Sequence, residues 1–397
     1  MRTYEKTHPW LTFQLDLRGA PISLWLMLGE AQSKVNHIAG VPLLPEVQEH
    51  FHKLSLARGA LATTAIEGNT LTEEQVLAHL EGKLELPPSK EYLKQEVENI
   101  VRACNQIGER LLAGAPARIT SELIREYNRL VLHHLPEKDD VVPGEYTRFP
   151  VGVGRYPGAP VEDIPFLVDR MAAWFNTGFS DVGAPEGYAI AFGILRAVMA
   201  HLYLAWIHPF GDGNGRTARL LEFYILLGVG VPSVAAHLLS NHYNQTRSEY
   251  YRVLDVVHKN GGNPLPFIEY AVQGFVDALG EQVETIKSQQ LIVHWFHHVH
   301  AVFRNRDTPT QVRRRRLVID LTKLGKAVPF NKIRHISPRI AEAYAGKTDK
   351  TVRRDLNYLQ KIGLIGKTPA GFIIKSAKLY GFLPPVRVDS TGASVTS

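Results

Sequence analysis

Apolar residues recur along this chain mainly at helical spacing. Phe192, Leu195, Met199, Leu202 and Trp206 follow the alternating 3,4 spacing of one buried helical face, which predicts a core helix that ends at His208, where Pro209 stops it. A second helix starts near Asn214, with Leu220, Tyr224 and Leu227 on one face and Gly228 as its stop. Upstream, the same reading gives a helix over residues 23–37, a break at Pro42 to Pro45, a helix over 46–67 closed by Gly68, and a helix over 120–134. Thr72 followed by Gln75 reads as a capping box. Alternation of period two appears where Val151 and Val153 flank Gly152 and Gly154, predicting a short hairpin. Downstream come a long helix over 283–306, a helix over 310–324, another within 329–344, and a third N-capped by Thr348. That third helix turns Val352, Leu356 and Leu359 inward and Arg353 and Arg354 to solvent; Gly363 ends it, and residues 365–374 form a two-stranded wing. The expected fold is mainly all-α.

Between the first two helices the chain reads HPFGDGNGRTAR, His208 to Arg219. Gly211, Gly213 and Gly215 let the backbone turn sharply into a helix N-terminus, whose unpaired N–H groups and dipole favour a phosphate. Arg216 and Arg219 lie three apart on one helical face, where both reach the same polyphosphate. Asp212 is a hard oxygen ligand suited to Mg²⁺, and His208 is placed as a general base for an attacking hydroxyl. A glycine-rich surface turn with scattered charges does not account for all of these groups together.

The stretch resembles the signature of Fic-domain proteins, H-P-F-x-[DE]-G-N-G-R-x-x-R, and matches it at every fixed position. The resemblance implies an all-helical core that transfers AMP from ATP to a Ser, Thr or Tyr hydroxyl of a target protein. It implies His208 as base, Asp212 as the Mg²⁺ ligand, Gly213, Asn214 and Gly215 as the anion hole continuing through Thr217 and Ala218, and Arg216 and Arg219 on the phosphates. TTAIEGN, from Thr63 to Asn69, is similar to the inhibitory motif of relatives whose autoinhibitory helix precedes the core. There Glu67 would pair with Arg219 and keep the γ-phosphate from seating; taken alone, Glu67 reads as an ordinary solvated or capping carboxylate. Val151, Gly152, Val153 and Gly154 fall where the family has a flap that registers a target segment by strand addition. The usual arginine is displaced to Arg148, and the usual Pro-Pro is opened to Pro157-Gly158-Ala159-Pro160. Residues 238–255 are similar to the family helix ending in a tyrosine pair, which would put Tyr250 and Tyr251 beside the nucleoside. The three-helix and wing pattern resembles a winged helix-turn-helix.

Composition narrows the setting. Cys104 is the only cysteine, so an intrachain disulfide and a multi-cysteine zinc site are excluded. His201 and His242 read as hydrogen-bonded structural histidines, because no third metal ligand joins them. No stretch near the N-terminus reads as a signal or membrane span, so a cytoplasmic protein with no membrane partner is expected. The net charge of +6 is split: residues 304–378 carry nineteen Lys or Arg against five Asp or Glu, while residues 1–303 stand at −8. A basic C-terminal module suggests an acidic partner, DNA or a protein, although the run Arg313 to Arg316 alone reads as a solvated face.

The expected organisation is an N-terminal helical region with the inhibitory motif (1–115), a Fic catalytic core (116–280), a linker helix with the winged helix-turn-helix (281–383), and a disordered tail (384–397). The expected function is an autoinhibited, ATP- and Mg²⁺-dependent protein adenylyltransferase. Two alternatives stay open: a DNA-binding transcriptional regulator that uses the core as a nucleotide-sensing or self-modifying switch, and a hydrolase that removes AMP at the same site. The sequence leaves a homodimer open.

Overall fold

The computed structural model describes residues 2–136, 138–153, 156–179, 187–379, 387–388 and 394–395. The chain divides into two compact units, Met1–Val283 and Glu284–Ser397. The N-terminal helices and the core that the sequence separates at 115/116 lie together in the first unit.

The first unit is built from α1 (Ile22–Gly40), α2 (Pro45–Ala65), α3 (Glu73–Leu80), α4 (Glu91–Leu112), α5 (Ser121–Val131), α6 (Ile164–Ala173), α7 (Ala189–Ile207), α8 (Asn214–Gly228), α9 (Leu238–Gln245), α10 (Arg247–Lys259) and the first part of α11 (Leu265–Val302). Its only sheet among the described residues pairs β1 (Gly152–Val153) with β2 (Tyr156–Pro157), antiparallel, Gly152 opposite Pro157. Local signals place the helix starts: Thr120 accepts from the N–H of Leu123 at 3.0 Å, and the capping box at Thr72 and Gln75 has both its bonds.

At the centre lies α7. Spacing predicts one apolar stripe on it, but Ile194, Val198 and Leu204 are buried as fully as Leu195, Met199 and Leu202, so it is enclosed on nearly all sides. It is also the one helix among the described residues long and apolar enough to cross a membrane, and its residues are buried inside this unit. Three other boundaries depart from expectation. The helix before Glu67 stops at Ala65, leaving Glu67 in the closing turn before Gly68 at φ 107°. The helix expected over 238–255 is broken at Thr246 into α9 and α10, so the tyrosine pair falls near the start of α10, at its fourth and fifth residues. The long helix begins at Leu265 instead of near residue 283.

In the second unit, α12 (Pro309–Leu324), α13 (Pro338–Ala343) and α14 (Asp349–Lys361) precede a hairpin of β3 (Ile365–Thr368) and β4 (Gly371–Ile374). Val328 forms a bridge to Phe372 beside the hairpin. Trp295, Leu317, Ile333, Val352, Leu356 and Ile365 share its core. Thr348 stands at the N-cap of α14 without a side-chain cap bond. Arg313 and Arg314 are not solvated: their side chains are 10% exposed, and both donate to the buried carboxylate of Asp355, at 2.8 and 2.7 Å. Helical spacing alone cannot reveal a buried acid across the core. Of the expected tail only 387–388 and 394–395 are described, as a pair of two-residue strands; the rest lies outside the described residues.

Candidate active site

The end of α7 delivers His208 to a crowded corner. Its backbone is left-handed, φ 50° and ψ 59°, unusual for a side chain with a Cβ, and its N–H donates to the Leu204 carbonyl at 2.9 Å. The hairpin stem is laid against the same corner: Ala159 N–H donates to the Ile207 carbonyl at 3.1 Å, and Gly158 N–H to the Val151 carbonyl at 2.7 Å. A Cβ on Gly158 would stand 2.9 Å from the Cβ of His208 and 3.0 Å from the Val151 carbonyl oxygen, so only glycine permits this approach. Burial pushes the His208 imidazole down to about 4, against smaller opposing effects of the Ala205 carbonyl, Glu67 and Asp212. At neutral pH the ring is unprotonated, as a general base must be.

The turn that follows is held from inside. Asn214 bonds back to Phe210 twice, accepting from its N–H at 3.0 Å and donating to its carbonyl at 2.7 Å. Gly213, at φ 76°, lets the chain enter α8. Asn128 of α5, fully buried, donates to the Asp212 carbonyl at 2.9 Å and accepts from the Gly144 N–H at 2.9 Å. Sequence reasoning missed Asn128, since a lone polar residue on a helix carries no signal that its partner is a loop 84 positions away. Thr217 and Ala218 are buried in the first turns of α8, facing the core, with the Thr217 hydroxyl 3.3 Å from the Asn128 amide.

Both arginines are buried and already paired. Arg216 donates to Glu96 of α4 at 2.9 Å, a second partner the sequence did not single out. Arg219 donates to the Thr63 hydroxyl at 2.7 Å, to the Thr63 carbonyl at 2.9 Å and to Glu67 Oε1 at 2.5 Å. Thr63 and Glu67, four apart, thus converge on one guanidinium although Glu67 lies beyond the helix end. The Glu67 side chain remains 32% exposed. Burial alone would raise its carboxyl, but the charge and hydrogen bond of Arg219, with help from Arg216, hold it below the usual range. A Cβ on Gly215 would sit 2.3 Å from Glu67 Oε1 and 3.0 Å from Arg219. The carboxylate therefore covers the backbone at the start of α8, where a phosphate would be expected to settle.

Asp212 is the acid of the turn. Its Oδ1 accepts from the Gly213 N–H at 2.7 Å, and its Oδ2 pairs with Lys138 at 2.7 Å. Burial would raise this carboxyl too; Lys138, Arg216 and the Gly213 N–H together lower it. No group of three or more His, Cys, Asp or Glu residues able to hold a metal occurs among the described residues. One carboxylate plus nucleotide phosphate oxygens is nevertheless an ordinary Mg²⁺ donor set, and Lys138, 65% exposed, is a cation already drawn to that oxygen.

The tyrosine pair divides. Tyr250 is buried, its hydroxyl 2.8 Å from His201 Nε2, while Tyr251 is 41% exposed. His201 is fully buried, with Nδ1 3.0 Å from Glu222 Oε2, and Glu222 Oε1 accepts from the Tyr243 hydroxyl at 2.9 Å. His242 packs against the Tyr270 ring, centroids 4.6 Å apart. Among the hairpin residues, Val151, Gly152 and Val153 are described; Gly154 lies outside the described residues.

Comparison with known proteins converges on this region. The profile of the Fic/DOC family matches residues 118–226. The protein adenylyltransferase Fic of Drosophila ananassae is 33% identical over 208 residues, covering 52% of this chain and 38% of that protein. The protein adenylyltransferase fic-1 of Caenorhabditis briggsae is 35% identical over 212 residues, 53% of this chain and 38% of that protein. The chain thus spans less than half the length of these relatives. Among solved structures, Fic-1 (aa134–508) from C. elegans aligns with a TM-score of 0.55 at 26% identity, covering 67% of this chain and 74% of that one. A Fic family protein from Desulfovibrio desulfuricans G20 aligns with a TM-score of 0.53 at 21% identity, covering 88% of this chain and 96% of that one. The latter likeness concerns the fold.

Proposed function

We propose that this protein, whose residues 118–226 match the Fic/DOC family model, is an autoinhibited protein adenylyltransferase, moving AMP from ATP to a Ser, Thr or Tyr hydroxyl of a target protein. The observation that carries the reading is the position of the Glu67 carboxylate, on Arg219 and above Gly215. An anion that occupies both the guanidinium and the helix N-terminus competes directly with a nucleotide phosphate.

With Glu67 withdrawn, the N–H groups at the start of α8 and the Arg219 guanidinium are released to take the phosphates, and Arg216, held by Glu96, stands on the same helical face. Neutral His208 removes the proton of the target hydroxyl, whose oxygen attacks the α-phosphorus; the bond to the bridging oxygen breaks and pyrophosphate leaves. Asp212 would hold Mg²⁺ together with phosphate oxygens, and the ion would supply neutralisation of phosphate charge. Tyr251, the exposed member of the pair, is the side chain offered to the nucleoside. The strand Gly152–Val153 offers backbone groups to an extended target segment beside His208.

The test is intact mass of Glu67→Gly protein after incubation with ATP and Mg²⁺, with and without His208→Ala. One AMP per modified site, absent from the double variant and scarce in the parent, is expected. If Glu67→Gly gains no more AMP than the parent, with a target-rich extract present, the reading is wrong. The same position of the Glu67 carboxylate, over Gly215 and 32% exposed, supports a second reading, hydrolytic removal of AMP, in which it would align a water. Release of AMP from modified target by the parent, but not by Glu67→Gly, distinguishes it.

A further inference from the structure

The second unit carries a basic face that the proposed transfer reaction does not use. Lys350, Arg353, Arg354, Asn357 and Lys361 are all exposed, and their spacing places them along one side of α14. Val352, Asp355, Leu356 and Leu359, on the other side, are buried. The helix is fixed from behind: Asp355 receives Arg313, Arg314 and the Tyr344 hydroxyl, the last at 3.1 Å. Arg353 is also ordered at the surface, its guanidinium 4.3 Å from the centroid of the Phe330 ring. Exposed Lys367 and Lys375 extend the charge onto the hairpin that follows.

Internal pairing sharpens the imbalance. Of the five acids between residues 304 and 378, Asp320, Asp349 and Asp355 are taken by Arg339, Arg334, and Arg313 with Arg314. Those pairs use four of the nineteen cations. Among the described residues, no carboxylate pairs with Lys350, Arg353, Arg354, Lys361, Lys367 or Lys375. The exposed large apolar residues of the chain include none on α14, so this face lacks the buried aromatic or aliphatic anchors on which protein interfaces depend.

We propose that this face of α14 and the adjoining hairpin bind duplex DNA, with α14 in the major groove. A 13-residue helix is about 20 Å long and enters a groove about 12 Å wide. Lys350, Arg353 and Arg354 take phosphates, Lys361 closes the far end of the row, and Asn357 in its middle carries the amide donor and acceptor that suit an adenine edge.

The experiment is fluorescence anisotropy of the full chain on a labelled duplex of mixed sequence, titrated at several salt concentrations. Binding at about 50 mM salt is expected to weaken steeply as salt rises. Lys350→Glu with Arg354→Glu should reduce affinity by about tenfold or more and lower the salt slope by about two. Lys6→Glu with Lys90→Glu, an equal charge change on exposed residues of the first unit, should leave binding in place. Thermal melts confirm that each variant is folded. No binding by the parent at low salt overturns the proposal. Equal loss in both charge variants overturns it as well, since net charge would then be responsible, and so does preference for anionic lipid vesicles over the duplex. Because this readout needs neither ATP nor Glu67→Gly, it stands or falls separately from the transferase reading.

Discussion

On the proposed mechanism His208 joins two demands at one residue, since the imidazole must be unprotonated and buried next to reacting groups. Its position near pH 4, against an ordinary value of 6.5, makes folding depend on pH. Between those two values the unfolded chain binds the proton and the folded chain does not. Stability is therefore fully present above about pH 6.5 and is lost as pH falls toward 4, by up to about 3 kcal/mol for this group. His237, pushed by burial to about 3, adds to the loss in the same direction. Urea unfolding at pH 7.5 and 4.5 is expected to give a smaller difference for His208→Gln than for the parent; an equal difference would show that His208 is not the group responsible. At this scale the sequence was most informative. His208, Asp212, Arg216 and Arg219 are legible because they sit within one twelve-residue stretch whose chemistry is local, whereas Glu67 is legible only through the resemblance of its motif, its partner Arg219 lying 152 positions away. Asn128, Glu96 and Lys138 are not, because each reaches the site from a distant segment where it looks like any polar residue on a helix or loop.

Elements decide how closely the hairpin approaches His208. The stem after β2 lies against the end of α7 only because residue 158 has no side chain. Gly158→Ala puts a methyl group against the His208 Cβ and the Val151 carbonyl, so either the strand or the helix end must move. A stability loss of about 1–3 kcal/mol is expected, together with transfer by the Glu67→Gly protein slowed by about tenfold or more, read from thermal melts and AMP incorporation. The opened Pro157-Gly158-Ala159-Pro160 sequence, a departure from the usual double proline, acquires its physical reason here. The helices themselves were legible from spacing, caps and stops, and the capping box at Thr72 was present in full. The break at Thr246 was not, since no glycine or proline marks it; the Thr246 hydroxyl instead finds the His242 carbonyl at 2.7 Å and the Tyr270 hydroxyl at 2.5 Å.

At the scale of the whole molecule, the two units have their own cores and their own buried charges. In the second, one carboxylate balances two arginines, so Asp355→Ala leaves Arg313 and Arg314 buried without an anion, a loss of about 3–5 kcal/mol. Hydrogen exchange is expected to lose protection over 309–374 in that variant while amides of α7 and α8 keep theirs; equal loss in both would mean that the units unfold together. The polarity of that interior was hidden in the sequence, where four consecutive arginines read as surface. In the first unit, Glu67 and Arg219 come from one folded body, 152 positions apart in the chain. On the proposed reading, the clamp is thus a unimolecular equilibrium that dilution cannot shift. Nucleotide sees only the fraction of molecules in which the clamp is open, so the apparent dissociation constant for ATP is the intrinsic one divided by that fraction. A signal that loosens the turn after α2 would then raise nucleotide affinity and activity together, without touching a single group that contacts ATP.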